Sequence, residues 1–152
     1  MEARLNAKEI SPAGMRAMGA LHAFVHDCGL EFTLLELVKL RASQINGCAF
    51  CMDMHAKELR AAGESEQRVY LVSAWRESPQ YSTRERAALA WTEALTPVTE
   101  GNVPDSDWEA VRLHFDETEV VNLTLAIVAI SGANRVNIAF RTVPGGHVPR
   151  GK

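Results

Sequence analysis

A glycine at position 47 divides a long helical pattern, and two cysteines follow it at once. Apolar residues recur at helical spacing over 37–45, and the pattern resumes over 48–62. Glycine readily adopts the left-handed conformation that ends a helix, so this pattern predicts two helices joined by a tight turn. The pair Cys48-x-x-Cys51 is therefore expected at the start of the second helix.

Helical spacing brings these cysteines onto one stripe with a histidine. Cys48, Cys51 and His55 are separated by three and four residues. Cα atoms one helical turn apart lie about 5 Å from each other, within the reach of a disulfide. The positive end of a helix dipole lowers a thiol pKa, and His55 can exchange a proton with the cysteine four residues before it. We therefore expect Cys51 to be the more nucleophilic thiol.

Glu36, twelve residues before the first cysteine, allows two interpretations. In the first, Thr33-x-x-Glu36 is a capping box at the start of a helix, and Glu36 lies on a polar stripe with Lys39 and Ser43. In the second, the chain reverses at the glycine, and the levels of positions 36 and 55 then differ by only about 4.5 Å. Glu36 could then contact His55 directly or through one water.

The intervals of these four residues resemble those of a known family. Glutamate, eleven residues, Cys-x-x-Cys, three residues and histidine is the motif of the alkylhydroperoxidase D-like proteins, within the carboxymuconolactone decarboxylase-like superfamily. Two further segments also look like this family, Leu37-Val38-Lys39-Leu40-Arg41-Ala42-Ser43 and Arg84-Glu85-Arg86-Ala87-Ala88-Leu89-Ala90-Trp91. The resemblance covers roughly residues 15–141 and is closest to the short, single-unit members.

The resemblance implies an antioxidant hydroperoxide reductase, fed by a dithiol such as dihydrolipoamide or by a lipoyl protein. Cys51 would attack the peroxide, and Cys48 would protonate the product or resolve the intermediate. Glu36 and His55 would form the proton relay. The resemblance also implies a compact helical bundle that assembles as a trimer or hexamer, with no bound cofactor or metal.

Composition limits the remaining possibilities. The chain has 152 residues, of which 47% are hydrophobic, enough for one domain with a core. A net charge of −3 provides no field for nucleic acid or anionic membranes. We find no signal-peptide pattern and no uncharged apolar run of about 20 residues, so we expect a cytoplasmic protein. In that reducing compartment a CxxC is more often redox-active or metal-binding than structural.

The rest of the chain predicts an all-α fold with no convincing strand. We expect an N-terminal lead at 1–10, a helical domain at 11–141 and a flexible tail at 142–152, in which His147 has no evident partner. Eight helices are predicted from caps and breakers: Pro12 to Gly29, Thr33 to Asn46, Cys48 to Ala62, Ser65 to Trp75, Ser82 to Leu95, Asp105 or Ser106 to Phe115, Asp116 to Ile130, and Ala133 to Phe140. The run 120–130 is apolar on nearly every face, which indicates a core or interface helix and favours a homo-oligomer.

Other readings of the cysteines stay open. Structural zinc or an iron–sulfur cluster needs about four ligands, but the third cysteine, Cys28, stands alone and is expected to be a small buried hydrophobe. His22 and His26 have the spacing of a metal pair without a third ligand nearby, which favours a packing or surface role. A thioredoxin-type reductase needs a βαβ context, and a decarboxylase or isomerase needs no paired thiols. A redox switch or interaction module, or a disulfide reductase acting on another substrate, is harder to exclude.

Overall fold

The structure is a computed structural model that describes residues 2–149. Within this range the chain forms only helices and the segments that connect them. The α-helices are α1 (Ala7–Ile10), α2 (Pro12–His26), α3 (Phe32–Asn46), α4 (Ala49–Ala61), α5 (Glu66–Leu71), α6 (Thr83–Leu95), α7 (Asp105–Arg112) and α8 (Glu117–Phe140). Two 3₁₀ segments, Val72–Glu77 and Val98–Glu100, follow α5 and α6. The predicted all-α class is confirmed.

Side-chain caps fix several helix starts where the sequence placed them. Ser82 and Asp116 each form a capping box, with Glu85 and Glu119 returning the hydrogen bond. The Ser65 side chain accepts a hydrogen bond from the Arg68 amide at the start of α5. Local signals of this kind need no tertiary partner, which is why the sequence alone located them.

Helix α3 lies at the centre of the molecule and contacts α4, α6 and α8. Leu35 and Val38 pack into a core built with α2, α6 and α8. Leu37 and Leu40 turn to a second core, shared with α4, α5 and α6. A helix buried on several sides holds its side chains in fixed positions, because both cores resist repacking.

The predicted break at Ser131-Gly132 is wrong. α8 runs without interruption through both residues, so the separate helix expected over 133–140 is its last third. One glycine inside a helix costs about 1 kcal/mol relative to alanine, which tertiary packing readily offsets. Ile130 and Asn134, on either side of the glycine, are both buried.

Other helix ends also differ from the prediction. The N-terminal lead contains the short helix α1, and the helix expected to run through Trp75 tightens into a 3₁₀ segment after Leu71. α2 ends at His26, before the predicted glycine. α7 has Pro104 at its N-cap rather than Asp105 or Ser106, and it ends at Arg112. Ends without a strong side-chain cap are the least predictable from sequence.

The segment after α8 returns to α4. The amide of Gly145 donates to Asp53 Oδ2 at 3.0 Å, and Lys57 Nζ donates to the Gly145 carbonyl at 2.9 Å. His147, expected to lack a partner, has its Nε2 2.6 Å from Glu58 Oε1. The sequence alone could not predict these contacts, because the partners lie some ninety residues apart.

One face of α8 remains uncovered. Val121 and Val128 are 57% and 54% exposed, and Leu125 between them is half-buried. Spacings of four and three residues place all three on one stripe. By length and composition alone, α8 could also cross a membrane, but the core helices of other proteins meet the same criteria. Here α8 packs against α2, α3 and α6.

We expect this stripe to join copies of the chain. Val121→Asp combined with Val128→Asp should shift a homo-oligomer toward monomer, because buried charges oppose association. Sedimentation velocity across a micromolar concentration range measures the change. Leu113→Asp is the matched control, since Leu113 is 81% exposed and lies off the stripe. A wild-type protein that sediments as a monomer throughout would contradict this expectation.

Candidate functional site

The two cysteines lie at the start of α4. Gly47 has φ 71°, the left-handed conformation that ends α3, and Cys48 is the N-cap of α4. Cys48 Sγ accepts a hydrogen bond from the Cys51 amide at 3.4 Å. The two sulfurs form a disulfide, with 5.4 Å between the Cα atoms. The predicted position of the CxxC pair at a helix N-terminus is confirmed.

Behind the disulfide, Glu36 joins α3 to α4. Its Oε2 is 2.6 Å from His55 Nδ1, a direct contact without an intervening water. Its other carboxylate oxygen accepts a hydrogen bond from Lys39 Nζ at 2.9 Å. Glu36, Lys39 and His55 are 3%, 8% and 5% exposed. The three side chains therefore form a closed ionic cluster in the protein interior, which we call the Glu36 cluster.

The cluster determines which nitrogen of His55 can act as a base. An ionised carboxylate only accepts hydrogen bonds, so Nδ1 carries the proton that points to Glu36. His55 Nε2 is buried and has no partner among residues 2–149. Cys51 lies one helical turn earlier on the same face. A thiol at Cys51 would supply the proton donor that Nε2 lacks.

The charge of Glu36 is strongly favoured in the folded state. Burial by itself raises the pKa of this carboxyl, but the His55 hydrogen bond and the Lys39 ammonium outweigh burial and hold the pKa at about 2. Glu36 is thus ionised at any physiological pH. A fixed negative charge beside Nδ1 holds the orientation of the imidazole ring.

Glu36 does not cap a helix, and that prediction is wrong. α3 begins one residue earlier, at Phe32, with Glu31 at the N-cap and no side-chain cap bond. The polar stripe with Lys39 and Ser43 faces inward rather than to solvent, and Ser43 is fully buried. Counted from Phe32, Glu36 is the fifth residue of α3, two positions beyond the one that a capping box uses.

Three asparagines complete the surroundings of the cysteines, and the sequence did not single them out. Asn46 donates to Asn134 Oδ1 at 2.9 Å, and Asn134 donates to Ser43 Oγ at 3.0 Å. Asn137 Nδ2 lies 3.5 Å from Cys51 Sγ and can donate to it. The available signal was the presence of two amides, at positions 134 and 137, in an apolar helix, since buried amides need partners.

A pocket of about 630 Å³ opens beside the disulfide, between the N-terminal segment, the start of α4 and the end of α8. Its walls include Arg4, Cys48, Phe50, Ile138, Arg141 and Val143, and we call it the Cys48 pocket. Cys48 belongs to the pocket wall and Cys51 does not, although both residues are almost fully buried, at 1% and 0% exposed.

The remaining sequence candidates are not part of a metal site. Among residues 2–149 no group of three or more His, Cys, Asp or Glu residues could hold a metal ion. His26 is exposed, with Nδ1 2.8 Å from Asp27. Cys28 is a free thiol, half-buried against the larger core. His22 is half-buried, and burial, followed by the charges of Lys39 and His55, lowers its pKa.

Residues 12–94 match the model of the carboxymuconolactone decarboxylase family. The chain belongs to this family. The match covers α2 to α6 almost completely and so includes the cysteines and the Glu36 cluster.

Two individual relatives show where in the family this chain belongs. It is 42% identical to the uncharacterized protein YdfG of Bacillus subtilis, over 92% of this chain and 95% of the relative. The crystal structure of a protein of unknown function from Agrobacterium tumefaciens, described as a candidate antioxidant defence protein AhpD, matches with TM-score 0.93 and 46% identity. That match covers 96% of this chain and all of the other. The protein is thus an alkylhydroperoxidase D-like member of the family.

A more distant structure shares only the fold with this chain. The alkylhydroperoxidase AhpD core of a peroxidase-related protein from Ralstonia eutropha matches with TM-score 0.81 at 22% identity, over 92% of this chain and 75% of that one. The family and the cysteine pair are consistent with an antioxidant role and with an oxidoreductase or decarboxylase-like enzyme.

Proposed function

We propose that this family member is a thiol-dependent hydroperoxide reductase. The observation that carries the proposal is the position of His55. Its Nδ1 is fixed by Glu36, its Nε2 is buried with no partner within residues 2–149, and it lies one turn after a cysteine of a disulfide-forming pair. A base so oriented beside a thiol activates a nucleophile.

The peroxide step uses Cys51. In the reduced protein, His55 Nε2 takes the Cys51 proton, and the Glu36 charge stabilises the imidazolium. The thiolate attacks the distal oxygen of the hydroperoxide, so that an S–O bond forms and the O–O bond breaks. The leaving alkoxide takes up a proton and departs as an alcohol. Cys51 is then a sulfenic acid.

The second cysteine closes the cycle. Cys48, one turn away, attacks the Cys51 sulfur, which forms the disulfide and releases water. External dithiols such as dihydrolipoamide or a lipoyl protein reduce the disulfide by exchange and become oxidised in turn. A cytoplasmic location, which we also propose, would supply such thiols. No bound cofactor or metal enters the cycle.

Two other functions find less support in the site. A redox switch that only controls assembly would need the cysteines but no buried base, and the Glu36 cluster would then be an ion pair with no task. A decarboxylase would need no disulfide-forming pair beside its acid and base. Both the pair and the base therefore favour peroxide chemistry.

Peroxide consumption with several reductants tests the proposal. The wild type should consume cumene hydroperoxide when supplied with dihydrolipoamide or another dithiol, and one disulfide should form per peroxide reduced. The double substitution Cys48→Ser with Cys51→Ser should abolish turnover. Cys28→Ser is the matched control, since Cys28 is a free thiol away from the pair.

Two results would reject a peroxidase. One is turnover by the double variant equal to that of the wild type. The other is a wild-type protein that consumes neither hydrogen peroxide nor an alkyl hydroperoxide with any dithiol, although its disulfide is reduced by them.

A further inference from the structure

Each sulfur of the cysteine pair accepts one hydrogen bond from residues 2–149. The backbone amide of Cys51 donates to Cys48 Sγ at 3.4 Å, and the side-chain amide of Asn137 donates to Cys51 Sγ at 3.5 Å. Sulfur is a larger atom than oxygen, so both separations are ordinary for such bonds. The amide in the first turn of α4 is therefore directed at Cys48, and the donor for Cys51 comes from α8.

The side chain of Asn137 is held in place by its own helix. Its Nδ2 also donates to the Ala133 carbonyl, one turn earlier, at 2.9 Å. A carbonyl oxygen only accepts hydrogen bonds, so the nitrogen of the Asn137 amide, and not its oxygen, must face Ala133. The two hydrogens of the amide then have two partners, the Ala133 carbonyl and the Cys51 sulfur. A donor fixed in this way needs no rearrangement to meet a charge on that sulfur.

The burial of Cys51 makes this donor important. Cys51 is 0% exposed, so a thiolate formed there has lost the hydrogen bonds of bulk water. A neutral thiol is a weak acceptor, whereas hydrogen bonds to an ionised atom are stronger. The Asn137 amide therefore stabilises the ionised form of Cys51 more than the neutral form.

The charged groups around this sulfur come from several parts of the chain. His55 lies on α4, and Glu36 and Lys39 stand behind it on α3. Arg4, in the N-terminal segment, and Arg141, at the end of α8, lie in the wall of the neighbouring pocket. The side chain that α8 places against the sulfur is a neutral amide, so its replacement by an apolar residue leaves all five charged or titratable groups unchanged.

We propose that Asn137 is a positioning residue that stabilises the thiolate of Cys51 in the reduced protein. The proton passes from Cys51 Sγ to His55 Nε2, and the Asn137 amide donates to the sulfur that is left with the charge. This inference rests on the proposed function only for the choice of Cys51 as the nucleophile, because the ionisation itself needs no peroxide.

An ultraviolet titration tests the proposal. A thiolate has an ultraviolet absorbance band that a thiol lacks, so no reagent has to reach the buried sulfur. Cys28→Ser with Cys48→Ser leaves Cys51 as the only cysteine, and a serine at position 48 remains a good N-cap for α4. We call this protein the reference. Adding Cys51→Ser gives the baseline, which removes the absorbance of the tyrosines.

Two substitutions at position 137 are compared with the reference. Asn137→Leu should raise the midpoint of the thiolate titration by about one pH unit, the effect of one hydrogen bond to a charged atom. Asn137→Asp has the shape of the native residue but places a carboxylate beside the sulfur, so the midpoint should rise further. A residue that only packs α8 would change stability without producing this order of midpoints.

Asn122→Leu is the matched control on the same helix. Asn122 is also buried and donates to the Cys28 carbonyl at 3.1 Å, but it lies about 22 Å from position 137 along α8. Its replacement should lower stability, measured by urea unfolding, and leave the midpoint of the titration unchanged.

Three results would overturn the proposal. They are equal midpoints for the reference and the Asn137→Leu protein, a midpoint for Asn137→Asp no higher than that of the reference, and a reference that forms no thiolate while circular dichroism shows it folded. If the leucine variant does not fold, the aspartate variant decides alone. A protein that shows the expected midpoints but reduces no peroxide would retain this role of Asn137 and lose the proposed function.

Discussion

Cys48→Ser protein treated with one equivalent of cumene hydroperoxide is expected to carry a stable sulfenic acid on Cys51. The attacking thiol is still present, but no resolving thiol can displace the hydroxyl. Cys48 is also the N-cap of α4, and serine is a preferred N-cap residue, so this change preserves the helix start. Dimedone labelling followed by peptide mass spectrometry measures the adduct.

The converse substitution should have a larger effect on turnover. Cys51→Ser removes the nucleophile and is expected to lower peroxide turnover by about three orders of magnitude or more. Dimedone should label neither remaining cysteine. Cys28→Ser again serves as the control, with turnover and labelling like those of the wild type. Labelling of Cys48 in the Cys51→Ser variant would show that the roles of the two cysteines are reversed.

Glu36→Gln is expected to lower both stability and thiol reactivity. The change leaves Lys39 buried beside a neutral amide, and the loss of one partner from a buried pair costs about 3–5 kcal/mol. It also removes the charge that orients His55, so the thiolate fraction of Cys51 should fall. Urea unfolding and the pH dependence of Cys51 alkylation measure the two effects.

A second substitution separates these effects. Glu36→Gln with Lys39→Met removes both charges and should recover most of the lost stability, but the alkylation profile should stay displaced to higher pH. His55→Asn should displace that profile similarly. Glu117→Gln is the control, because its partner Arg112 and its own side chain are solvent-accessible and the change should cost less than about 1 kcal/mol. Alkylation profiles identical to that of the wild type in all three site variants would exclude the relay.

The lowered pKa of Glu36 also predicts that stability depends on pH. The pKa of Glu36 is lowered from 4.5 to about 2 in the folded protein. A depressed pKa stabilises the folded state above the unfolded value, and this contribution is lost as the pH falls through the folded value. The stability of the wild type should therefore fall relative to that of the Glu36→Gln, Lys39→Met protein between about pH 4.5 and pH 2. Parallel curves over this range would contradict the assignment.

The sequence predicted those features of the site that depend on neighbours along the chain. The turn at Gly47 and the CxxC at a helix start follow from local conformation, and helical rise alone brought position 36 level with position 55. Periodicity could not show that Lys39 and Ser43 face inward, because a buried polar stripe has the same spacing as a solvated one. The sequence pattern gives the spacing of the polar residues, whereas their burial depends on which helices pack against that face.

The parts of the site that the sequence missed come from distant segments. Asn137 reaches Cys51 across 86 positions, and Arg4 reaches Ala139 across 135. Nothing in a local window predicts such contacts. The false break at Gly132 has the same origin, because packing of α8 on its neighbours decided the outcome against a weak local propensity.

The contacts of the site join residues at very different distances along the chain, so we expect them to form at different times. Glu36 and His55 are only 19 positions apart, so closing the loop between them costs little chain entropy and can precede most of the tertiary structure. α8 emerges after α3 and α4 during synthesis, and it brings the Asn137 amide to the Cys51 sulfur. We therefore expect nascent chains to hold the two thiols together, but uncovered, until α8 docks. During that interval the cysteines are open to oxidation by any small molecule in the surroundings.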